Sequence, residues 1–237
     1  MRHFLKILCC LLVAFSLAGN EGPCVEQGSS DSDSDSDSDT TDDGTRVGSF
    51  SITFYWVERE EDHSGNQTFS IQTYDSTSNT TSEIDTARET FVEAASTQGN
   101  GLLTDGTIIS YQDDCSGFVA STVPYGVCFE IVNVLTYPYG RSREGTALSP
   151  YRGVAVGTSS ITNGTELYIP LLDEVEMPGT EGGFTHDGCV TADDTGAGST
   201  EIKLFVYRES NYDSLNETLG SSATYTSYIY TDSPHCD

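Results

Sequence analysis

The sequence contains few basic residues and, after its first 20 residues, no long hydrophobic run. Only 10 Lys and Arg stand against 37 Asp and Glu among 237 residues, so the formal net charge is −27. A protein this acidic repels phosphate backbones and anionic lipid surfaces, and we expect no nucleic-acid partner. The sequence also lacks a CxxC pair, and its four histidines are scattered, so we expect neither a metal nor another cofactor.

The hydrophobic content is nevertheless that of a folded domain. Hydrophobic residues make up 36% of the chain, and Tyr, Phe, Val and Ile recur in strand-like runs from Phe50 to Tyr230. These runs exclude disorder of the whole chain. The length is that of one domain of ordinary size, which we expect to be a monomer.

The N-terminal residues have the pattern of a signal peptide. An apolar run from Phe4 to Leu17 begins close to Arg2 and is followed by a small-residue cleavage point before Gly19. We therefore assign residues 1–18 to a signal peptide and expect a secreted, periplasmic or cell-envelope protein of a bacterium. The run is short for a membrane span, and we expect no membrane-spanning segment.

Residues 19–45 are interpreted as an acidic linker of low complexity. Residues 28–45 read GSSDSDSDSDSDTTDDGT and contain no hydrophobic residue. Neighbouring carboxylates repel one another and keep such a chain extended, so the composition favours a solvated spacer.

Five cysteines follow the signal peptide, and in an exported protein they are expected to form disulfides where geometry permits. Cys24 lies outside any folded pattern, and we interpret it as the unpaired cysteine. The pairing of the other four cannot be deduced from their spacing. The disulfide candidates are Cys115, Cys128, Cys189 and Cys236.

Alternation and capping signals predict the elements of residues 46–100. Residues 49–57 and 68–74 alternate and are rich in β-forming residues, which predicts a hairpin. Ser82 with Asp85 has the form of a capping box, and the apolar stripe that follows predicts one helix as far as Gly99.

Short strands separated by glycine-rich turns dominate the rest of the chain. The predicted strands are 107–111, 128–135, 154–156, 166–172, 188–192, 201–207 and, in the C-terminal segment 211–237, residues 225–230. Many short strands with little helix favour a closed barrel, because closure removes exposed strand edges. We therefore predict a mainly β fold with a small barrel within residues 101–210.

Four short motifs in this region occur in a characteristic order. They are RGVAV at 152–156, ITNGTELYIP at 161–170, ADDTG at 192–196 and IKLF at 202–205. Together they resemble the 3D domain family, a six-stranded double-psi β-barrel named for three aspartates and shared with membrane-bound lytic transglycosylases of type A. The resemblance covers about residues 111–207.

The resemblance implies an exported protein that cleaves the bond between N-acetylmuramic acid and N-acetylglucosamine during peptidoglycan turnover. Of the three family aspartates, only the second is kept, as Asp194; Gly157 and Lys203 stand at the first and third positions. The family's third aspartate transfers the proton, so its replacement leaves two functions open. One is a glycan-cleaving enzyme that works with Asp194, and the other is a non-catalytic barrel that binds peptidoglycan or another polysaccharide.

In the enzymatic interpretation Asp194 is the acid and base, because one carboxyl group can protonate the bridging oxygen and then accept a proton. Asp193 or Asp187 would raise its pKa as a charged neighbour, and His186 or Tyr168 would contact the sugar. Further substrate contacts are expected from an aromatic and basic set, comprising Tyr139, Arg141 and Arg152.

A structural role of Asp194 is the alternative interpretation. Asp-Thr-Gly is a common turn sequence in which the carboxylate accepts backbone N–H bonds. An ion pair between Lys203 and Asp194 would lower the pKa of the aspartate and favour a binding protein.

Overall fold

The computed structural model describes residues 40–41, 43–118 and 123–237. The expected signal peptide, Cys24 and most of the acidic linker lie outside these ranges. The described strands are β1 (Thr40–Thr41), β2 (Gly44–Trp56), β3 (Glu58–Arg59), β4 (Thr68–Asp75), β5 (Thr80–Arg88), β6 (Asn100–Leu102), β7 (Ile108–Asp114), β8 (Val127–Ile131), β9 (Gly153–Val156), β10 (Glu166–Tyr168), β11 (Cys189–Thr195), β12 (Glu201–Tyr207) and β13 (Tyr225–Thr231). The helices are α1 (Glu89–Gln98) and α2 (Glu209–Thr218).

Six strands close into a barrel in the order β2, β12, β9, β11, β10 and β13, with β13 pairing back onto β2. The pairs of β2 with β12 and of β9 with β11 are parallel, and the other four pairs are antiparallel. Closure leaves none of the six strands with a free edge along its paired length. The mainly β fold and the six-stranded barrel predicted from the sequence are thus confirmed.

Alternation along the strands separates the barrel interior from its outer face. On β12, Ile202, Leu204 and Val206 are completely buried inside the barrel, together with Ile52 of β2 and Val154 of β9. The residues between them point outward because successive side chains of a strand alternate. This outer face carries the candidate site.

A second sheet and a hairpin lie beside the barrel. The sheet has the order β3, β6, β7, β8, and the hairpin is formed by β4 and β5. Helix α1 packs with both, burying Phe91 and Val92 against Ile71 and Ile109. It ends at Gly99, whose φ of +85° is the left-handed cap that glycine adopts most readily.

The hairpin predicted between residues 49–57 and 68–74 is wrong. The first run belongs to β2 of the barrel, while the second is β4 and pairs with β5. The predicted helix is also shorter at its start, because residues 82–88 pair with β4 instead of continuing α1. Pairing within the β4–β5 hairpin overrides the capping signal at Ser82.

The barrel also takes strands from outside residues 101–210. It includes β2 before that range and β13 after it, whereas the predicted strands near 108 and 128 form part of the second sheet. The segment expected as a C-terminal strand or tail contains helix α2 in addition to β13. The described residues therefore hold two helices where the sequence predicted one.

Both expected disulfides form from the four candidate cysteines. Cys115 is bonded to Cys128, and Cys189 is bonded to Cys236. The second bond ties the C-terminus to the first residue of β11. Within the described ranges, no helix is both long and apolar enough to cross a membrane.

Candidate functional site

A β-bulge in β11 turns Asp194 to the outer face of the barrel. Ala192 pairs with Val154 of β9, and Asp194 pairs with the next residue, Ala155, so Asp193 is the extra residue. Ala192 is part of the barrel core, and without the bulge Asp194 would also face inward. The inserted residue therefore places the Asp194 carboxyl outside the core.

Asp194 stands in a row of four residues across the sheet. Ala155 of β9 lies between Asp194 and Lys203 of β12, and Lys203 in turn pairs with Thr53 of β2. Neighbouring strands are about 4.8 Å apart. The four residues of the row are distant in sequence but lie close enough together to contact one small molecule. Ala155 lines the cavity in the middle of the row and is itself 3% exposed, packed with Tyr55 and Phe205.

A cavity of about 210 Å³ opens over this row, between the barrel wall and residues of α1, β6 and β7. Its lining contains two carboxylic acids, Asp194 and Glu201. It also contains three of the ten basic residues of the chain. These are Arg141, Arg143 and Lys203. The remaining polar and aromatic lining includes Gln98, Asn100, Tyr55 and Tyr111.

The Asp194 carboxyl is buried and held by three donors. Oδ1 accepts hydrogen bonds from the backbone N–H of Arg143 at 2.9 Å and of Thr195 at 2.8 Å. Oδ2 accepts a hydrogen bond from the Tyr55 hydroxyl at 3.0 Å. Burial raises the pKa of Asp194 despite these hydrogen bonds, since only 5% of the residue is exposed.

Tyr55 is itself kept in its protonated form. Burial raises its pKa well above the usual value, and the charge of the Asp194 carboxylate raises it further. Its hydroxyl therefore remains a hydrogen-bond donor at any physiological pH. Tyr55 of β2 therefore holds the Asp194 carboxyl of β11 in one orientation.

Asp193 lies behind the cavity, where it does not contribute to the lining. Its carboxyl covers Gly153, and a Cβ added at that glycine would stand 2.6 Å from Asp193 Oδ2. Burial raises the pKa of Asp193 to about 7, and the charge of Asp194 adds to the effect. The influence therefore runs from Asp194 to Asp193, whereas the raised pKa of Asp194 itself comes from burial.

The raised pKa of Asp193 predicts a specific pH dependence of stability. Its stabilising contribution is complete below about pH 4 and is lost as the pH rises to about 7, because ionisation is favoured in the unfolded chain. We expect Asp193→Asn to be more stable than the wild type at pH 8 by on the order of 3 kcal/mol. Urea unfolding of both proteins at pH 4 and pH 8 measures this difference, and an equal difference at the two values would contradict it.

Lys203 pairs with Glu201. The Lys203 ammonium lies 4.0 Å from Glu201 Oε2, and the described residues contain no ion pair between Lys203 and Asp194. Burial acts to raise the pKa of Glu201, but hydrogen bonds from the Gly198 N–H and the Thr53 hydroxyl outweigh it, and the Lys203 charge adds to them. The pKa of Glu201 is therefore lowered, so the cavity holds one carboxyl with a raised pKa and one with a lowered pKa.

Four other predicted site residues lie near the opposite end of β11, namely Arg152, Tyr168, His186 and Asp187. Asp187 and His186 immediately precede the strand, and five residues of strand, about 17 Å, separate its first residue from Asp194. His186 is 1% exposed; its Nε2 lies 2.6 Å from the Tyr151 carbonyl, and its Nδ1 accepts the Gly188 N–H at 2.8 Å. Burial lowers the pKa of His186, which places it as an internal turn residue.

The remaining members of this distant group also have local partners. Asp187 forms an ion pair with Arg152, and the Tyr168 hydroxyl donates to Asp173 Oδ2 at 2.9 Å. Tyr139 lies against the barrel wall, with its ring edge-to-face on Tyr207 at 4.8 Å. Of the predicted site residues, the structure brings only Arg141 into the cavity with Asp194.

Several cavity residues were missed by the sequence interpretation. Tyr55, Tyr111 and Asn100 precede the barrel motifs, and only the closed fold brings them to Asp194. Glu201 could have been found, because it stands two residues before Lys203 and alternation puts both on one face of the strand.

The chain matches no family model and no curated protein. The solved structures that it resembles include lytic transglycosylases. A membrane-bound lytic murein transglycosylase from Agrobacterium tumefaciens has a TM-score of 0.46 and 13% identity, covering 78% of this chain and 74% of its own. Escherichia coli MltA with bound chitohexaose has a TM-score of 0.46 and 14% identity, covering 78% and 71%. LtgG of Burkholderia pseudomallei has a TM-score of 0.37 and 16% identity, covering 78% and 73%. At these values the likenesses assign no activity to this chain.

Proposed function

We propose that the protein binds a glycan strand of the peptidoglycan type in the Asp194 cavity and cleaves it by lytic transglycosylase chemistry. The observation that carries the proposal is a buried carboxyl with a raised pKa in a cavity open to a substrate. A general acid for a glycosidic bond is favoured by a raised pKa, and burial shifts the pKa of Asp194 in that direction.

The cavity lining also suits a sugar chain. Glycan hydroxyls require both donors and acceptors, which Gln98 and Asn100 provide at one wall. Tyr111 presents an aromatic ring, on which the Arg143 guanidinium stacks at 3.8 Å. Arg141 and Lys203 are ion-paired with Glu130 and Glu201, so Arg143 is the basic side chain that would attract the carboxylates of peptide stems.

The proposal includes export. The predicted signal peptide at 1–18 would deliver the protein to the periplasm, the cell envelope or the medium, where peptidoglycan is accessible. The acidic linker at 19–45 would act as a solvated, extended spacer next to the folded part.

Incubation of the purified protein with peptidoglycan sacculi tests the proposal. We expect soluble muropeptides that end in 1,6-anhydromuramic acid, because the 6-hydroxyl of the sugar attacks its own C1. Cosedimentation of the protein with the sacculi is measured in the same tubes. Cosedimentation without soluble products would instead show a binding protein.

That second function is favoured by one specific observation. Both oxygens of Asp194 already accept hydrogen bonds from the protein, as expected for a carboxylate that fixes a turn. The cavity would then hold a polysaccharide without cleaving it.

Both functions require the space above Ala155. We expect Ala155→Leu to weaken glycan binding at least tenfold, because the larger side chain enters the middle of the row. Cosedimentation with sacculi measures binding, and Ala87→Leu, at a buried alanine of β5 outside the cavity lining, is the matched control for added volume in a packed cluster. Equal binding by Ala155→Leu and the wild type would show that the glycan lies elsewhere.

A further inference from the structure

Glu201 is the second carboxyl of the cavity and lies on the same face of β12 as Lys203. The strand alternates strictly at this point, with Ile202 and Leu204 inside the barrel and the two charged residues outside. Glu201 pairs with Ser51 of β2 and lies two residues along β12 from Lys203, which belongs to the row that contains Asp194. Its side chain therefore reaches the substrate space from the neighbouring row.

Local contacts hold the Glu201 carboxylate in a fixed position. Oε1 accepts a hydrogen bond from the Thr53 hydroxyl at 2.9 Å, and Oε2 accepts one from the Gly198 N–H at 3.0 Å. The side chain remains 29% exposed, so the carboxylate has access to the cavity. Its contacts also lower its pKa, which keeps it ionised at neutral pH.

Asp194 differs from Glu201 in its surroundings. Only 5% of the residue is exposed, and burial raises its pKa although three donors contact its oxygens. Two carboxyls of one cavity whose pKa values are shifted in opposite directions suit the two halves of acid–base catalysis. Asp194, with the raised pKa, suits the donation of a proton, and Glu201, which is already ionised, suits its acceptance.

Resting on the proposed glycan cleavage, we propose that Glu201 is the base of the reaction and that Asp194 is the acid. The acid and base functions are then divided between two carboxyls on neighbouring rows of the barrel wall. Lys203 lies beside Glu201, and its positive charge stabilises the ionised form of the Glu201 carboxyl.

Asp194 transfers its proton to the bridging oxygen, and the bond between that oxygen and C1 breaks, leaving a free hydroxyl on the departing sugar. The 6-hydroxyl oxygen of the remaining sugar bonds to C1, and its proton passes to the Glu201 carboxylate. Glu201 later returns this proton to Asp194 through solvent, so no further reactant is consumed.

The substitution Glu201→Gln tests this role. It keeps the size of the side chain and an acceptor oxygen but removes the base, so we expect release of anhydromuropeptides to fall 10²- to 10³-fold. Sedimentation with sacculi is expected to remain, since binding does not require proton transfer. The matched control is Glu217→Gln, at an exposed position of α2, with the release rate of the wild type.

Rescue of cleavage by azide distinguishes a base at Glu201 from a residue that only supports the structure. In Glu201→Ala, azide can attack C1 without losing a proton, so we expect sodium azide to restore cleavage at least tenfold. The product would carry a glycosyl azide, identified by its mass, in place of the anhydro ring. Azide is not expected to restore Asp194→Asn, because that variant lacks the proton for the leaving oxygen.

Two outcomes would overturn the assignment of Glu201 as the base. The products of the wild type distinguish between them. If the wild type releases anhydromuropeptides and Glu201→Gln releases them at the same rate, Glu201 is not the base. If the wild type releases no product at all, the proposed cleavage itself fails, and the role of Glu201 fails with it.

Discussion

Replacement of Asp194 with asparagine is expected to lower the rate of glycan cleavage by about 10²- to 10⁴-fold, the usual contribution of a general acid. The amide cannot deliver a proton to the bridging oxygen. Its carbonyl oxygen can still accept the N–H groups of Arg143 and Thr195, and its NH₂ group can face the Tyr55 hydroxyl oxygen. The variant is therefore expected to fold and to bind sacculi.

The comparison needs a variant with the same chemical change elsewhere. Asp213→Asn alters an exposed aspartate of α2, away from the cavity, and is expected to retain the wild-type rate. Muropeptide release by all three proteins is followed over time at pH 7. Equal rates for Asp194→Asn and the wild type would remove Asp194 from the reaction.

The second large effect concerns stability. Cys236→Ser is expected to lower the free energy of unfolding by about 4 kcal/mol, because the Cys189–Cys236 bond spans 47 residues and restricts the unfolded chain. For a domain of this size, such a loss corresponds to a decrease of about 10 °C in Tm. The shorter Cys115–Cys128 span of 13 residues predicts a smaller loss of about 3 kcal/mol for Cys128→Ser.

Thermal and urea unfolding of the oxidised wild type and the two serine variants measure these losses. Reduction of the wild type is expected to have an effect at least as large as Cys236→Ser, since it opens both bonds. A Tm for Cys236→Ser within 2 °C of the wild type would show that the C-terminal bond adds little to stability.

The strands of the barrel could be predicted from local alternation. β9, β11 and β12 are short apolar runs between glycine-rich turns, and the sequence interpretation placed each of them to within a few residues. The closed barrel followed because so many short strands cannot all leave their edges exposed. These features depend on neighbours in sequence.

Long-range pairing could not be predicted in the same way. Nothing in residues 49–57 indicates that they pair with β12, more than 140 residues later, and a local hairpin was the simpler interpretation. Helix α2 was missed because its mostly polar sequence contributes few buried residues, among them Leu215. Tertiary contacts decide both cases.

The candidate site was predicted in part for the same reason. Asp194 stands in a recognisable turn motif, but its direction depends on the bulge at Asp193, which becomes visible only when β9 and β11 are paired. His186 and Asp187 are close to Asp194 in sequence, yet an extended strand carries them away from it. Glu201 was overlooked although its position beside Lys203 gave a usable signal.

The account rests most directly on the products formed from peptidoglycan. Sacculi are incubated with the purified protein, the soluble fraction is separated, and the masses of its products are measured by mass spectrometry. The account predicts disaccharide-peptides that carry an anhydro ring and are lighter by one water than the products of hydrolysis. A soluble fraction identical to that of sacculi incubated without protein would contradict it.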